Sequence, residues 1–127
     1  MAKSAAPAKI LIVDDEKPIA TALCIKLKKE GFFAEVVSNG AEALEKIAHE
    51  RYDLIFLDLM MPKVSGFEVL ETLQAKKNKI PVIVSSNLSQ PEDMSKAKAL
   101  GAVDYFVKSD TTLGAAIAKV KIFLNKN

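Results

Sequence analysis

Four short apolar runs in this chain each end on residues that can carry charge or donate a proton. Ile10-Leu11-Ile12-Val13 runs into Asp14 and Asp15, and Leu54-Ile55-Phe56-Leu57 into Asp58. Val82-Ile83-Val84 runs into Ser85 and Ser86, and Val103-Asp104-Tyr105-Phe106-Val107 into Lys108. If the runs are parallel strands, all these groups gather at the carboxyl edge of one sheet, where open α/β sheets place their ligands. Adjacent carboxylates such as Asp14 and Asp15 repel each other unless a cation sits between them. Mg²⁺ suits such a pair, because it takes one or two carboxylates, some waters and a phosphate oxygen. Asp58 is a third carboxylate, able to ligate the ion or to attack a phosphoryl donor and form an aspartyl-phosphate. Lys108 supplies a point positive charge for phosphoryl oxygens, and a hydroxyl at Ser85 or Ser86 can hydrogen-bond the same group. The chemistry implied is phosphoryl transfer, which rests mostly on positioning and charge stabilisation. One Asp at one strand end is often only a turn residue or a cap. Four matched groups at four run ends are not explained by capping, and ionisable clusters of this kind mark functional sites.

The elements that must position these groups alternate along the chain. Lys9–Val13 is short and uniformly apolar and reads as a buried strand. Residues 16–30 read as a helix, with Ile19, Leu23 and Leu27 on one face, Pro18 in the first turn and Gly31 as a left-handed stop. A second strand is expected at Phe33–Val37. Asn39 followed by Glu42 resembles a capping box and opens a helix to about His49. The third strand is read at 53–57, and Met60-Met61-Pro62-Lys63-Val64 as a loop. Ser65 with Glu68 makes another capping box, for a helix to about Lys76. The fourth strand is expected at 80–85. Ser89 with Glu92 begins the next helix, with Pro91 in its first turn and Gly101 past its end. The fifth strand is expected at Val103–Val107. A last helix follows Asp110, with Leu113, Ile117, Val120 and Leu124 as its apolar stripe. Five strands alternating with five helices predict an α/β fold, a doubly wound parallel sheet covered on both faces.

Composition narrows the function classes. The chain has 127 residues, one domain by length. Half the residues are apolar and 27% are charged, the profile of a globular protein. A net charge of +2 makes no case for nucleic acid, and no apolar run approaches the roughly 20 residues of a membrane span. Residues 1–8 read as a disordered lead-in without the apolar centre of a secretory signal. Cys24 is the only cysteine, which fits a reducing compartment. Lying among Ile19, Leu23 and Leu27, it reads as a buried structural thiol. His49, the only histidine, reads as a surface residue near a helix end. Met60-Met61 reads as loop packing, since thioethers suit soft metals and nothing else in the region is soft.

Taken in order, three stretches resemble the receiver domain of bacterial two-component response regulators. They are Ile10 to Glu16, Asp53 to Pro62, and Gly101 to Lys108. The resemblance covers about residues 9–125 and implies a receiver domain over 9–127 with the flavodoxin-like strand order 2-1-3-4-5. It implies that Asp58 is the phosphoacceptor and that Lys108 contacts the phosphoryl group. It implies that Asp14, Asp15, Asp58 and the Met60 backbone carbonyl hold Mg²⁺. Pro62 and Gly66 match the turn after the phosphoacceptor. The switch hydroxyl is assigned to Ser86 rather than Ser85, because it falls five residues after Pro81 and 22 before Lys108. Tyr105 matches the aromatic that changes rotamer on activation.

The function so implied is a phosphorylation-controlled switch in the cytoplasm. It would accept a phosphoryl group from a histidine kinase or phosphotransfer protein and signal by protein contact through the helix 4–strand 5–helix 5 face. It would not be an enzyme beyond its own phosphorylation and slow dephosphorylation, and would bind neither nucleic acid nor membrane. Within the chain no output domain is evident, which suggests the single-domain type; the receiver excised from a longer regulator is the alternative, as is a phosphorylation-independent adaptor. A flavodoxin-like FMN binder would need a Ser/Thr/Gly-rich phosphate loop where Asp14-Asp15-Glu16 stands. A hydrolase of external phosphate esters would need a substrate pocket and an acid–base group that the sequence does not offer.

Several positions depart from the family pattern. Ser109 stands where a cis proline usually follows the lysine. A non-proline cis bond costs roughly 2.5–4 kcal/mol, so a trans Lys108–Ser109 bond is expected, with Asp110 or Thr111 capping the last helix. Asn87 replaces a small residue after the switch hydroxyl and partly screens the site. Ser65 replaces a common acidic residue. The resemblance implies that Met60 and Leu88 flank the path of hydrolytic water; both are apolar, so slow self-dephosphorylation is expected.

Overall fold

The computed structural model describes residues 7–61 and 64–125. The expected lead-in lies largely at residues 1–6, outside the described residues, as do Pro62 and Lys63 of the loop and turn after Asp58. The elements run β1 (Lys9–Val13), α1 (Lys17–Lys29), β2 (Phe33–Val37), α2 (Gly40–His49), β3 (Leu54–Leu57), α3 (Gly66–Ala75), β4 (Val82–Ser86), α4 (Pro91–Ala99), β5 (Asp104–Val107) and α5 (Leu113–Asn125). A 3₁₀ turn at Lys108–Asp110 separates β5 from α5. All strands are parallel, in the order β2-β1-β3-β4-β5 that the family resemblance implied.

Alternation along the strands builds two cores. Leu11, Val13, Ile55, Leu57, Val82 and Val84 point to one face, against Ala43 of α2, Val69, Leu70 and Leu73 of α3, and Ala97 of α4. Ile10, Ile12, Leu54, Phe56 and Ile83 point to the other, against Ala20, Leu23 and Leu27 of α1 and Ala116, Ile117 and Val120 of α5. Both faces are covered, so β1 and β3 read as unbroken apolar runs rather than alternating ones. Phe56 and Phe106 meet edge to face at 6.0 Å.

The helix faces differ from the expected stripes. Ile19 is 43% exposed, and α1 buries Ala20 instead. In α5, Leu113 is exposed and Leu124 half-buried, while Ala116 joins Ile117 and Val120 inside. In both helices a small alanine faces the sheet and allows close approach, which rotates the apolar stripe from the one the larger residues suggest. Cys24 is half-buried rather than buried, and its thiol lies 3.6 Å from the Ala34 carbonyl oxygen.

Element ends were shifted by specific hydrogen bonds. β3 starts at Leu54 because Asp53 closes a turn, its N–H donating to the Lys9 carbonyl and its carboxylate accepting from the Lys9 N–H. β4 starts after Pro81, which has no N–H for the ladder, and the Ile80 N–H donates to the Asn78 side chain. β5 starts at Asp104 rather than Val103. The Ser65–Glu68 capping box is complete. At α2 only half forms: Asn39 accepts from the Glu42 N–H, but Glu42 reaches the Ser38 N–H instead of Asn39. Ser89 does not cap α4. That helix follows Gln90 with no side-chain cap, because Pro91 holds Gln90 extended and fixes the start. Gly31 and Gly101 take left-handed conformations at φ +96° and +108° and stop α1 and α4.

Candidate functional site

Register brings the charged groups together. Val13 pairs with both Val37 and Leu57, so β1, β2 and β3 end level, while β4 runs past Val84, the partner of Leu57, to Ser86. The ladder extends one residue further. The Asp14 N–H donates to the Val37 carbonyl at 3.0 Å, and the Asp58 N–H to the Val13 carbonyl at 2.9 Å. Both aspartates are thus fixed by sheet hydrogen bonds while their carboxylates project past the edge, 5% and 4% exposed. β4 and β5 end level with each other, two residues further out, Val107 pairing with Ser86, and Lys108 crosses back over the edge. Its ammonium donates to Asp14 at 3.0 Å, to Asp58 at 3.3 Å and to Glu16.

A close approach closes the floor of the site. A Cβ on Gly66 would lie 2.3 Å from the Asp58 carbonyl oxygen, so only glycine fits where α3 begins. The Gly66 N–H donates to the Leu59 carbonyl at 3.1 Å. Asp58 Oδ1 accepts from the Met60 N–H at 3.2 Å. The resulting cavity of about 280 Å³ is lined by Asp15, Glu16, Asp58, Met60, Asn87 and Lys108. A larger open groove beside Tyr52 lies at the opposite edge of the sheet and holds none of these groups.

Burial dominates the electrostatics of Asp58. Desolvation pushes its carboxyl up to about 6, against the Lys108 charge and the Met60 N–H, which both favour the ionised form. Burial opposes the charged form of Lys108 as well, but the hydrogen bonds it donates to Glu16 and Asp14 and the charges of Asp58 and Asp14 outweigh it, and its ammonium is held more firmly than an ordinary lysine's.

The model of the response regulator receiver domain family matches residues 10–118. The chain belongs to this family. Its general role is that of a phosphorylation switch in a two-component system. Over 100 residues the receiver is 40% identical to the alkaline phosphatase synthesis transcriptional regulatory protein PhoP of Bacillus subtilis, covering 79% of this chain and 42% of that protein. The chain spans about half the length of the curated relatives it matches. Among solved structures, the receiver domain of Francisella response regulator 1452 superposes with a TM-score of 0.87 at 33% identity, covering 91% of this chain and 95% of that one. A CheY-like receiver domain protein from Methanospirillum hungatei gives a TM-score of 0.88 at 27% identity, over 94% and 95%.

The receiver site brings together most of the residues expected from the sequence. One carboxylate oxygen each from Asp14, Glu16 and Asp58 lie within 4.8 Å of one another. This all-oxygen set has the hard-donor chemistry that Mg²⁺ selects. Asp15 is not in that group. It is exposed, on the cavity wall. Glu16, absent from the expected ligands, takes its place beside Lys108. The third acidic residue of Asp14-Asp15-Glu16 was the available signal.

Ser86 is fully buried, and its hydroxyl accepts from the Leu88 N–H at 3.3 Å. Tyr105 lies on the same face of the sheet by strand alternation. It is already turned inward, 9% exposed, with its hydroxyl donating to the Leu88 carbonyl at 2.7 Å. Burial and the Asp93 charge raise its phenol above the ordinary range. Leu88 is half-buried and Met60 is 57% exposed. The Lys108–Ser109 bond is trans, since no peptide bond among the described residues is cis. The expected cap of α5 is corrected: Thr112, not Asp110 or Thr111, accepts from the Ala115 N–H at 3.1 Å. The 3₁₀ turn uses up Asp110, and the Thr111 hydroxyl donates to the Val107 carbonyl. His49 is exposed and far from the site. Among the described residues no helix is long and apolar enough to cross a membrane.

Proposed function

We propose that this receiver accepts a phosphoryl group from phosphohistidine on a kinase or phosphotransfer protein, with Asp58 as the acceptor. The carrying observation is the convergence of Asp58, Asp14 and Lys108 at the ends of three strands, with Lys108 Nζ 2.9 Å from Asp14 and 3.3 Å from Asp58. A carboxylate oxygen of Asp58 attacks phosphorus, the phosphorus–nitrogen bond breaks, and the leaving imidazole takes up a proton. Lys108 offers an N–H to a phosphoryl oxygen, and the Met60 N–H keeps the carboxylate oriented. Asp14 and Asp58, joined by Asp15 turned in from the cavity wall and by the Met60 carbonyl, would hold Mg²⁺. Bound there, the ion supplies charge neutralisation between the carboxylates and the phosphoryl oxygens.

The Ser86 hydroxyl can turn from Leu88 toward the phosphoryl group. Leu88 also holds the Tyr105 hydroxyl, so the two switch residues share one backbone anchor. The α4–β5–α5 face is then the surface whose partner affinity changes, a two-state element biased by a new charge. Output goes through protein contact, or through a further domain if the chain is part of a longer regulator. Apolar Met60 and Leu88 give incoming water no hydrogen-bonding partner, so the acyl phosphate is long-lived. Decay no slower than that of free acetyl phosphate would refute this last point. Incubation with acetyl phosphate and Mg²⁺, followed by intact-protein mass, tests the whole reading. One phosphoryl mass should be gained, and none in the absence of Mg²⁺. Failure to gain any would overturn it.

A further inference from the structure

An ammonium group has three N–H donors, and in this site a carboxylate takes each of them: Asp14, Glu16 and Asp58. A phosphoryl oxygen can therefore reach Lys108 only by displacing one of the three. The three are not equivalent. The Asp14 and Asp58 side chains are 7% and 4% exposed, whereas that of Glu16 is 44% exposed at the mouth of the cavity. Asp58 is the reacting group. Asp14 is held in place by the Glu16 backbone N–H at 2.9 Å and cannot reach water if released. Glu16 can swing out, and water can take over its hydrogen bonds at little cost.

Resting on the reading of Asp58 as phosphoacceptor, we propose that Glu16 is a positioning residue that parks Lys108 in the unreacted site and yields it to the incoming phosphoryl group. The Glu16 carboxylate and a phosphoryl oxygen compete for the same N–H of Lys108. Glu16 thus slows uptake without being required for it, and it acts through Lys108 rather than through its charge alone.

The test is the initial rate of phosphoryl uptake from acetyl phosphate at saturating Mg²⁺, read by intact mass. Glu16→Gln should take up phosphoryl about two- to fivefold faster, the range spanned by a part-exposed ion pair. Glu16→Asp keeps the charge but is one methylene too short to hold Lys108, and should be faster by a similar factor. In a Lys108→Gln background, Glu16→Gln should change nothing, because the residue it acts through is gone. A wild-type rate in Glu16→Asp, or equal acceleration with and without Lys108, would reduce Glu16 to a source of negative field and overturn the proposal. A slower Glu16→Gln would overturn it too. No uptake by the wild type would instead bring down the reading of Asp58 on which it rests.

Discussion

Neutralising Asp58 should stabilise the fold at neutral pH, although Asp58 is central to the site. Its carboxyl is raised from the ordinary 3.8 to about 6, mainly by burial. For an acid raised on folding, the folded state binds the extra proton. Its contribution is therefore most favourable below about pH 4, declines as pH rises through about 6, and is a constant penalty above that. A gap of about two pH units is worth about 3 kcal/mol. Asp58→Asn cannot ionise and escapes the penalty, while Lys108 keeps Asp14 and Glu16 as partners. Imperfect hydrogen bonding by the new amide takes back part of the gain, leaving about 1–3 kcal/mol at pH 7.5 and almost none at pH 4. At this length 1 kcal/mol moves Tm by roughly 3–5 °C. Urea and thermal unfolding of both proteins in a chelator at the two pH values is the assay. Added Mg²⁺ should then narrow the gap by stabilising the wild type selectively. An Asn variant less stable than wild type at pH 7.5, or equally stabilised at both pH values, would refute the reasoning.

Three other substitutions probe separate parts of the account. Lys108→Met leaves Asp14, Glu16 and Asp58 without a counter-charge and should cost about 3–5 kcal/mol in chelator; Mg²⁺ should recover more stability in this variant than in wild type, as urea titrations with and without the ion will tell. Tyr105→Phe loses the 2.7 Å hydrogen bond to Leu88, worth about 1 kcal/mol, and NMR should place the resulting changes in the Leu88 loop and α4 rather than at Asp58. Gly66→Ala drives a Cβ to 2.3 Å from the Asp58 carbonyl oxygen and should cost at least about 2 kcal/mol as strain; its thermal midpoint will fall, and its phosphoryl uptake with it.

The sheet was legible because β1 and β3 are buried on both faces. Ile10 to Val13 and Leu54 to Leu57 admit no polar residue, so their ends, and with them Asp14 and Asp58, stand out. Parallel pairing then brings those ends together without any detail of side-chain packing. Glu16 was harder to find. Its carboxylate reaches Lys108 only because residue 16 is the non-helical residue before α1, at φ −86° and ψ 87°, a backbone turn that no pattern in Asp14-Asp15-Glu16 encodes. The same limit applies at Thr112, where an unforeseen 3₁₀ turn delays the start of α5. Ile19 and Leu113 misled because helix faces were assigned by residue size, whereas Ala20 and Ala116 are the residues that meet the sheet. The inward ring of Tyr105 was likewise not legible. It is seated by Leu88, a partner 17 residues away.

The central claim is that Asp58 receives the phosphoryl group, and locating the modified residue tests it most directly. Wild-type protein treated with acetyl phosphate and Mg²⁺ can be reduced with borohydride, which converts an aspartyl-phosphate to homoserine, then digested and sequenced by mass spectrometry. Homoserine should appear at position 58 and nowhere else, and Asp58→Asn should yield none. Homoserine at Asp14, Asp15 or any other aspartate of the wild type, or a phosphoryl gain that persists in Asp58→Asn, would contradict the account.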